Sequence, residues 1–111
     1  MNRRYCLTLD LKDDPELIAQ YKNHHKKIWP EITKSIKEAG IEDMEIYRLG
    51  TRMFMIVEVN ENFSFEAKAK ADSENPRVQE WEHLMWKFQQ PVAGARPGEK
   101  WVVMERIFKL E

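Results

Sequence analysis

The sequence predicts an α+β fold in which helices cover one face of an antiparallel sheet. Three observations predict it. Segments of alternating and β-prone residues occur near both ends and in the middle of the chain. Two Asx-Pro pairs, Asp14-Pro15 and Asn75-Pro76, each precede a run with helical spacing. The strand segments carry apolar residues on both parities, so one sheet face needs helices and the other needs some further cover.

Taken in order, Arg3 to Leu11 is the first strand, with Tyr5, Leu7 and Leu9 on one parity and Cys6, Thr8 and Asp10 on the other. Asp14 can cap the free amides of a following helix, Pro15 suits its first position, and Glu16 suits the positive end of its dipole. This helix is expected to run toward Trp29, with a kink or restart at Pro30, and to continue through Ile32 and Ile36 to a left-handed stop at Gly40. Ile41 to Leu49 and Arg52 to Asn60 flank Gly50-Thr51 and form a hairpin. The second of these is apolar at most positions and is expected to be central. Asn62 or Ser64 starts the next helix, and Asn75-Pro76 starts another, with Val78, Trp81, Met85 and Phe88 at helical spacing. Pro91 to Lys100 reads as a loop, and Trp101 to Leu110 as a closing strand.

The resulting order, β-α-β-β-α-β with each helical block split, reads as a ferredoxin-like sandwich. A chain of 111 residues is expected to form one domain, 1–111. It buries only roughly 65% of its unfolded surface, and two such sheets packed face to face, a dimeric α+β barrel, would cover the bare faces. A homodimer is therefore expected. Formal net charge is −1, with no basic stripe to suggest nucleic acid. One cysteine, Cys6, forbids an internal disulfide, and no apolar stretch approaches the ~20 residues of a membrane span. The N-terminal run does not read as a signal peptide, and a cytoplasmic location is expected.

The stretch from Tyr21 to Glu31 carries the most chemical information. On one continuous helix, Tyr21, His25 and Trp29 would project within about 40° of each other. A phenol, an imidazole and an indole on one stripe would suit a sugar, because aromatic faces pack on pyranose C–H faces while imidazole moves protons near neutral pH. The alternative is that Tyr21 and Trp29 are core and His25 is a satisfied polar contact. His24, one residue away, would point about 100° elsewhere, which argues against a shared metal; no metal and no cofactor are expected. Trp81, Glu82, His83 and Trp86 form a second cluster, in which Trp81 shares a face with Met85 and Phe88 and reads as core more than as site, while Glu82 suits a rim.

The pattern Tyr21-x3-His25-x2-Ile28-Trp29-Pro30-Glu31, followed by Gly40 and Ile46-Tyr47, resembles the L-rhamnose mutarotase family, and the resemblance runs from Arg4 through Phe108. It implies a dimeric ferredoxin-like barrel and a cofactor-free enzyme interconverting the α and β anomers of a 6-deoxy-L-hexose. It implies that His25 is the catalytic proton donor and that Tyr21 and Trp81 contact the sugar. At two further sugar-binding positions this chain departs from the rhamnose enzymes: Met44 replaces a tyrosine and Glu82 a second tryptophan. Those departures turn the expectation toward L-fucose over L-rhamnose. A second acid or base beside His25 would come from Tyr21, Tyr47, Glu82 or Arg106. Two other readings compete: an oxygenase, cofactor-free or with haem on His24 or His25, and a non-catalytic small-molecule-binding module.

Overall fold

The computed structural model describes residues 3–110. Its elements are β1 (Arg3–Leu11), α1 (Pro15–His24), α2 (Pro30–Glu38), β2 (Ile41–Leu49), β3 (Arg52–Val59), α3 (Phe65–Ser73), α4 (Pro76–Met85), β4 (Gln89–Gln90) and β5 (Val102–Val103). The expected α+β architecture is present: an antiparallel sheet and four helices. The sheet runs β2-β3-β1-β4, with β5 also on β1, so β3 and β1 are the inner strands.

Local chemistry sets the helix starts. Asp14 Oδ1 accepts from the amides of Glu16 (2.9 Å) and Leu17 (3.3 Å). Asn75 Oδ1 accepts from Arg77 (3.0 Å) and Val78 (3.3 Å), and Ser64 Oγ from Ala67 (3.0 Å). Each cap satisfies amides that the first turn leaves without partners. Gly40, at φ +100°, ends α2 and turns the chain into β2. A Cβ there would come within 2.5 Å of Asn60 Oδ1, so both conformation and space require glycine.

The first helix is shorter than expected. α1 ends at His24, with His25 as its C-cap, and a five-residue break precedes α2. Pro30 drives the residue before it out of the helical region, and Trp29 is accordingly extended at ψ 135°. Trp29 therefore does not share a helical stripe with Tyr21 and His25.

The closing strand also differs from expectation. Two short pieces share that edge of β1: Gln89 and Gln90 pair with Leu11 and Asp10, and Val102 and Val103 with Thr8 and Leu7. Pro91 has no N–H to extend β4. After the amide of Met104 bonds the Cys6 carbonyl (2.7 Å), the chain has no further regular structure through Leu110. Extending the β5 register would set Arg106 opposite Arg4, a like-charge pair that disfavours continued pairing.

One sheet face is buried against the helices. Leu7, Leu9 and Leu11 of β1 and Met53, Met55, Val57 and Val59 of β3 are all 9% exposed or less. Tyr21, Ile32, Val78, Trp81 and Met85 come down on them from α1, α2 and α4. The opposite face carries half-buried Cys6, Thr8, Phe54 and Ile56, bordered by the Arg4–Glu58 and Arg52–Asp10 ion pairs.

Candidate active site

The helix layer does not close fully on the sheet. Between them lies a cavity of about 570 Å³ whose walls include His25, Met44, Trp81, Glu82, Gln89 and Lys100. Its size falls within the range of small-molecule sites. α1 delivers His25 at its last turn, β2 delivers Met44, α4 delivers Trp81 and Glu82, and the loop after β4 delivers Lys100.

His25 is fixed by the end of its own helix. Its Nδ1 lies 2.9 Å from the Tyr21 carbonyl oxygen. A carbonyl only accepts, so Nδ1 carries the hydrogen and Nε2 of the neutral ring holds a lone pair. Burial pushes the His25 pKa down, the Tyr21 carbonyl pulls it back up by less, and neighbouring His24 lowers it further. The net shift is below the ordinary value of 6.5. At neutral pH this favours an uncharged imidazole able to take a proton.

Tyr21 stands behind His25 rather than in the cavity wall. It is 4% exposed, and its ring centroid is 4.3 Å from that of His25. Gln89 Nε2 donates to its hydroxyl (3.3 Å), and burial raises its pKa to about 12. Trp81 comes both to the core and to the cavity: it is 9% exposed, with its ring 5.6 Å from His25 and 5.1 Å from Trp29. Trp29 thus joins the aromatic group from its extended break, capped on one side by the Arg77 guanidinium at 4.2 Å. His24 is closer to this group than helical geometry suggested, 5.5 Å from Phe88 and 6.5 Å from Trp81, but it is not part of the cavity wall.

Of the four residues considered as a second acid or base, Glu82 alone lines the cavity. Tyr47 is 53% exposed on β2, where it donates to Glu45 (2.9 Å). Arg106 is exposed in the segment beyond β5.

Several polar residues of the wall escaped the sequence reading, among them Ser35, Lys68, Asp72 and Gln79; two others, Lys100 and Gln89, stand close to the residues named above. Lys100 reaches back across 18 positions to Glu82, with Nζ 3.2 Å from its carbonyl and 3.4 Å from its carboxylate. The Lys100 side chain is 20% exposed, and burial lowers its pKa more than Glu82 raises it. The ammonium also lies 4.8 Å from the Trp86 ring centroid. The second is Gln89, 4% exposed. Its Oε1 is, among the described residues, the buried side-chain polar atom with no hydrogen-bond partner, a condition that costs roughly 1–3 kcal/mol. The cavity therefore combines an oriented imidazole, an aromatic wall, a half-buried ion pair and an unsatisfied acceptor, a set suited to binding a polyhydroxylated molecule and moving its protons.

Comparison with known proteins identifies the family. A family model described as L-rhamnose mutarotase matches residues 4–110. The L-fucose mutarotase of Xanthomonas campestris pv. campestris is 47% identical over 110 residues, spanning 97% of this chain and 88% of that protein. Among solved structures, the L-rhamnose mutarotase of Formosa agariphila superposes with a TM-score of 0.70 at 19% identity, covering 98% of this chain and 99% of that one. Tetracenomycin F2 cyclase of Streptomyces glaucescens gives a TM-score of 0.63 at 16% identity, covering 98% and 97%. At those identities the two structures speak to the fold alone. The family model and the Xanthomonas relative carry the assignment: the chain belongs to the L-rhamnose mutarotase family, a family of isomerases.

Proposed function

We propose that this isomerase exchanges the α and β anomers of a 6-deoxy-L-hexose, with L-fucose favoured over L-rhamnose, by acid–base opening and closure of the sugar ring. The observation that carries the reading is His25 in the cavity wall, oriented by the contact of its Nδ1 with the Tyr21 carbonyl. Its Nε2 takes the proton of the anomeric hydroxyl while an acid protonates the ring oxygen. The C1–O5 bond breaks, C1 rotates, and closure on the other face returns both protons, so that His25 becomes the proton donor of the second half. The acid is drawn from the Glu82–Lys100 pair, whose polar atoms lie in the same wall. Trp81 supplies the aromatic face for the sugar, and Tyr21 acts from behind by holding His25 and Gln89 rather than by touching substrate. The Xanthomonas relative, named for L-fucose, supports that choice of sugar, as do Met44 and Glu82, both of which line the cavity.

Anomer exchange measured by saturation-transfer NMR on the two sugars at matched enzyme concentration tests the choice. L-Fucose is expected to exchange faster. L-Rhamnose faster by about tenfold or more would reverse the choice of sugar, since one mismatched hydroxyl in a polar site carries that much discrimination or more. Acceleration of neither sugar would end the mutarotase reading for these substrates.

The role of His25 predicts a loss of about 10²–10⁴-fold in exchange rate for His25→Gln, the usual worth of a general acid–base group, with the circular-dichroism spectrum unchanged. His24→Ala is expected to lose far less. The wild-type rate requires the neutral ring, so it is retained above the His25 pKa and falls as pH drops through it. Because that pKa is lowered, the acid limb is expected below pH 6.5. Equal losses in both variants, or an acid limb above 6.5, would contradict the assignment.

We further propose that the enzyme is a homodimer, the two-sheet barrel expected from the sequence. Two surfaces support it: the half-buried Phe54–Ile56 face of the sheet, and the terminal segment, in which Ile107, Phe108 and Leu110 are 88%, 74% and 82% exposed. Exposed apolar surface of that extent asks for a partner. Sedimentation equilibrium at micromolar concentration is expected to give twice the 13.3 kDa chain mass; a monomer would count against the barrel.

A further inference from the structure

Gln89 is placed in the cavity by strand pairing. Its register partner is Leu11, and paired residues project to the same side of a sheet, here the helix-facing side on which Leu11 is buried. One half of its amide is engaged, since Nε2 donates to the Tyr21 hydroxyl at 3.3 Å. The other half is not: Oε1 has no partner among the described residues, although the side chain is buried and forms part of the cavity wall. Buried acceptors in folded proteins are nearly always satisfied. One that is unsatisfied beside an open cavity is preorganised for a hydroxyl arriving with a ligand.

We propose that Gln89 determines sugar specificity by accepting, at Oε1, a hydrogen bond from the hydroxyl on C2, the carbon next to the anomeric centre. This rests on the mutarotase reading above. Gln89 and His25 flank the same tyrosine, the amide on its hydroxyl and the imidazole against its ring. With His25 serving the anomeric oxygen, the sugar group closest to that oxygen, the vicinal C2 hydroxyl, is the one that meets a neighbouring acceptor. L-Fucose carries this hydroxyl equatorially and L-rhamnose axially. A single acceptor at a fixed position therefore distinguishes the two sugars, and a hydroxyl it cannot reach leaves it unpaired.

The test compares the faster of L-fucose and L-rhamnose with its 2-deoxy analogue, by saturation-transfer NMR below saturation, for wild type and Gln89→Met. Wild type is expected to prefer the parent sugar by about tenfold or more in kcat/KM. Gln89→Met is expected to lose that preference, its kcat/KM values for the parent and the 2-deoxy sugar agreeing within about threefold, because the contact that separates the two sugars is absent. Wild type that ignores the loss of the C2 hydroxyl overturns the proposal, and this arm does not depend on the variant folding. A folded Gln89→Met enzyme that keeps the full preference for the parent sugar overturns it as well. Wild type that accelerates neither parent sugar overturns the mutarotase reading and this proposal together, whereas acceleration without C2 discrimination overturns the role of Gln89 alone.

Discussion

The bond from His25 Nδ1 to the Tyr21 carbonyl, 2.9 Å long, is the contact on which the site depends. It sits at the C-terminal end of α1, where the last carbonyls have no helical amides left to bind them. The Tyr21 carbonyl accepts from the His25 backbone amide (3.3 Å) as well as from its ring. One residue thus ends the helix, fixes its own tautomer and turns the other ring nitrogen free. The helix end by itself would favour a charged imidazole. Burial outweighs the Tyr21 hydrogen bond and lowers the pKa of the ring, which favours its neutral form.

Tyr21 connects this contact to the rest of the protein. Its backbone holds His25, its ring packs on Phe88 at 6.0 Å, and its hydroxyl receives Gln89. β4 is only two residues long, yet its pairing with Leu11 brings Gln89 to that hydroxyl. Lys12 donates its amide to the Phe88 carbonyl (2.8 Å) and so holds the same corner. The imidazole and the Gln89 amide of the site thus rest on a packed junction of α1, the end of α4 and the edge of β1.

What the sequence made legible was mostly local. Asp14, Ser64 and Asn75 act within three residues of themselves, and Gly40 answers a constraint of its own backbone, so each could be recognised without the fold. His25 was found because it lies one helical turn from Tyr21, and Trp81 and Glu82 were found through the family pattern. The rest depended on distance in sequence. The break between α1 and α2 is not apparent from periodicity, because Trp29 falls on the helical stripe whether or not the helix reaches it. Arg106 and Arg4 become neighbours only through the β1–β5 register, so the early end of β5 was not visible. Lys100 meets Glu82, and Gln89 meets Tyr21, only after the sheet has closed. Neither residue has a local pattern that marks it as polar wall rather than as solvent-facing surface.

The central claim is that His25 enters the reaction neutral, with its hydrogen on Nδ1. Nitrogen-15 NMR of the histidine side chains in the uniformly labelled protein, followed through a pH titration, tests this most directly. The account predicts a protonated Nδ1 and a lone-pair Nε2 for His25 at pH 7, with the ring taking up its second proton only below pH 6.5, in keeping with its lowered pKa. A His25 ring carrying its hydrogen on Nε2, or already doubly protonated at pH 7, would contradict it.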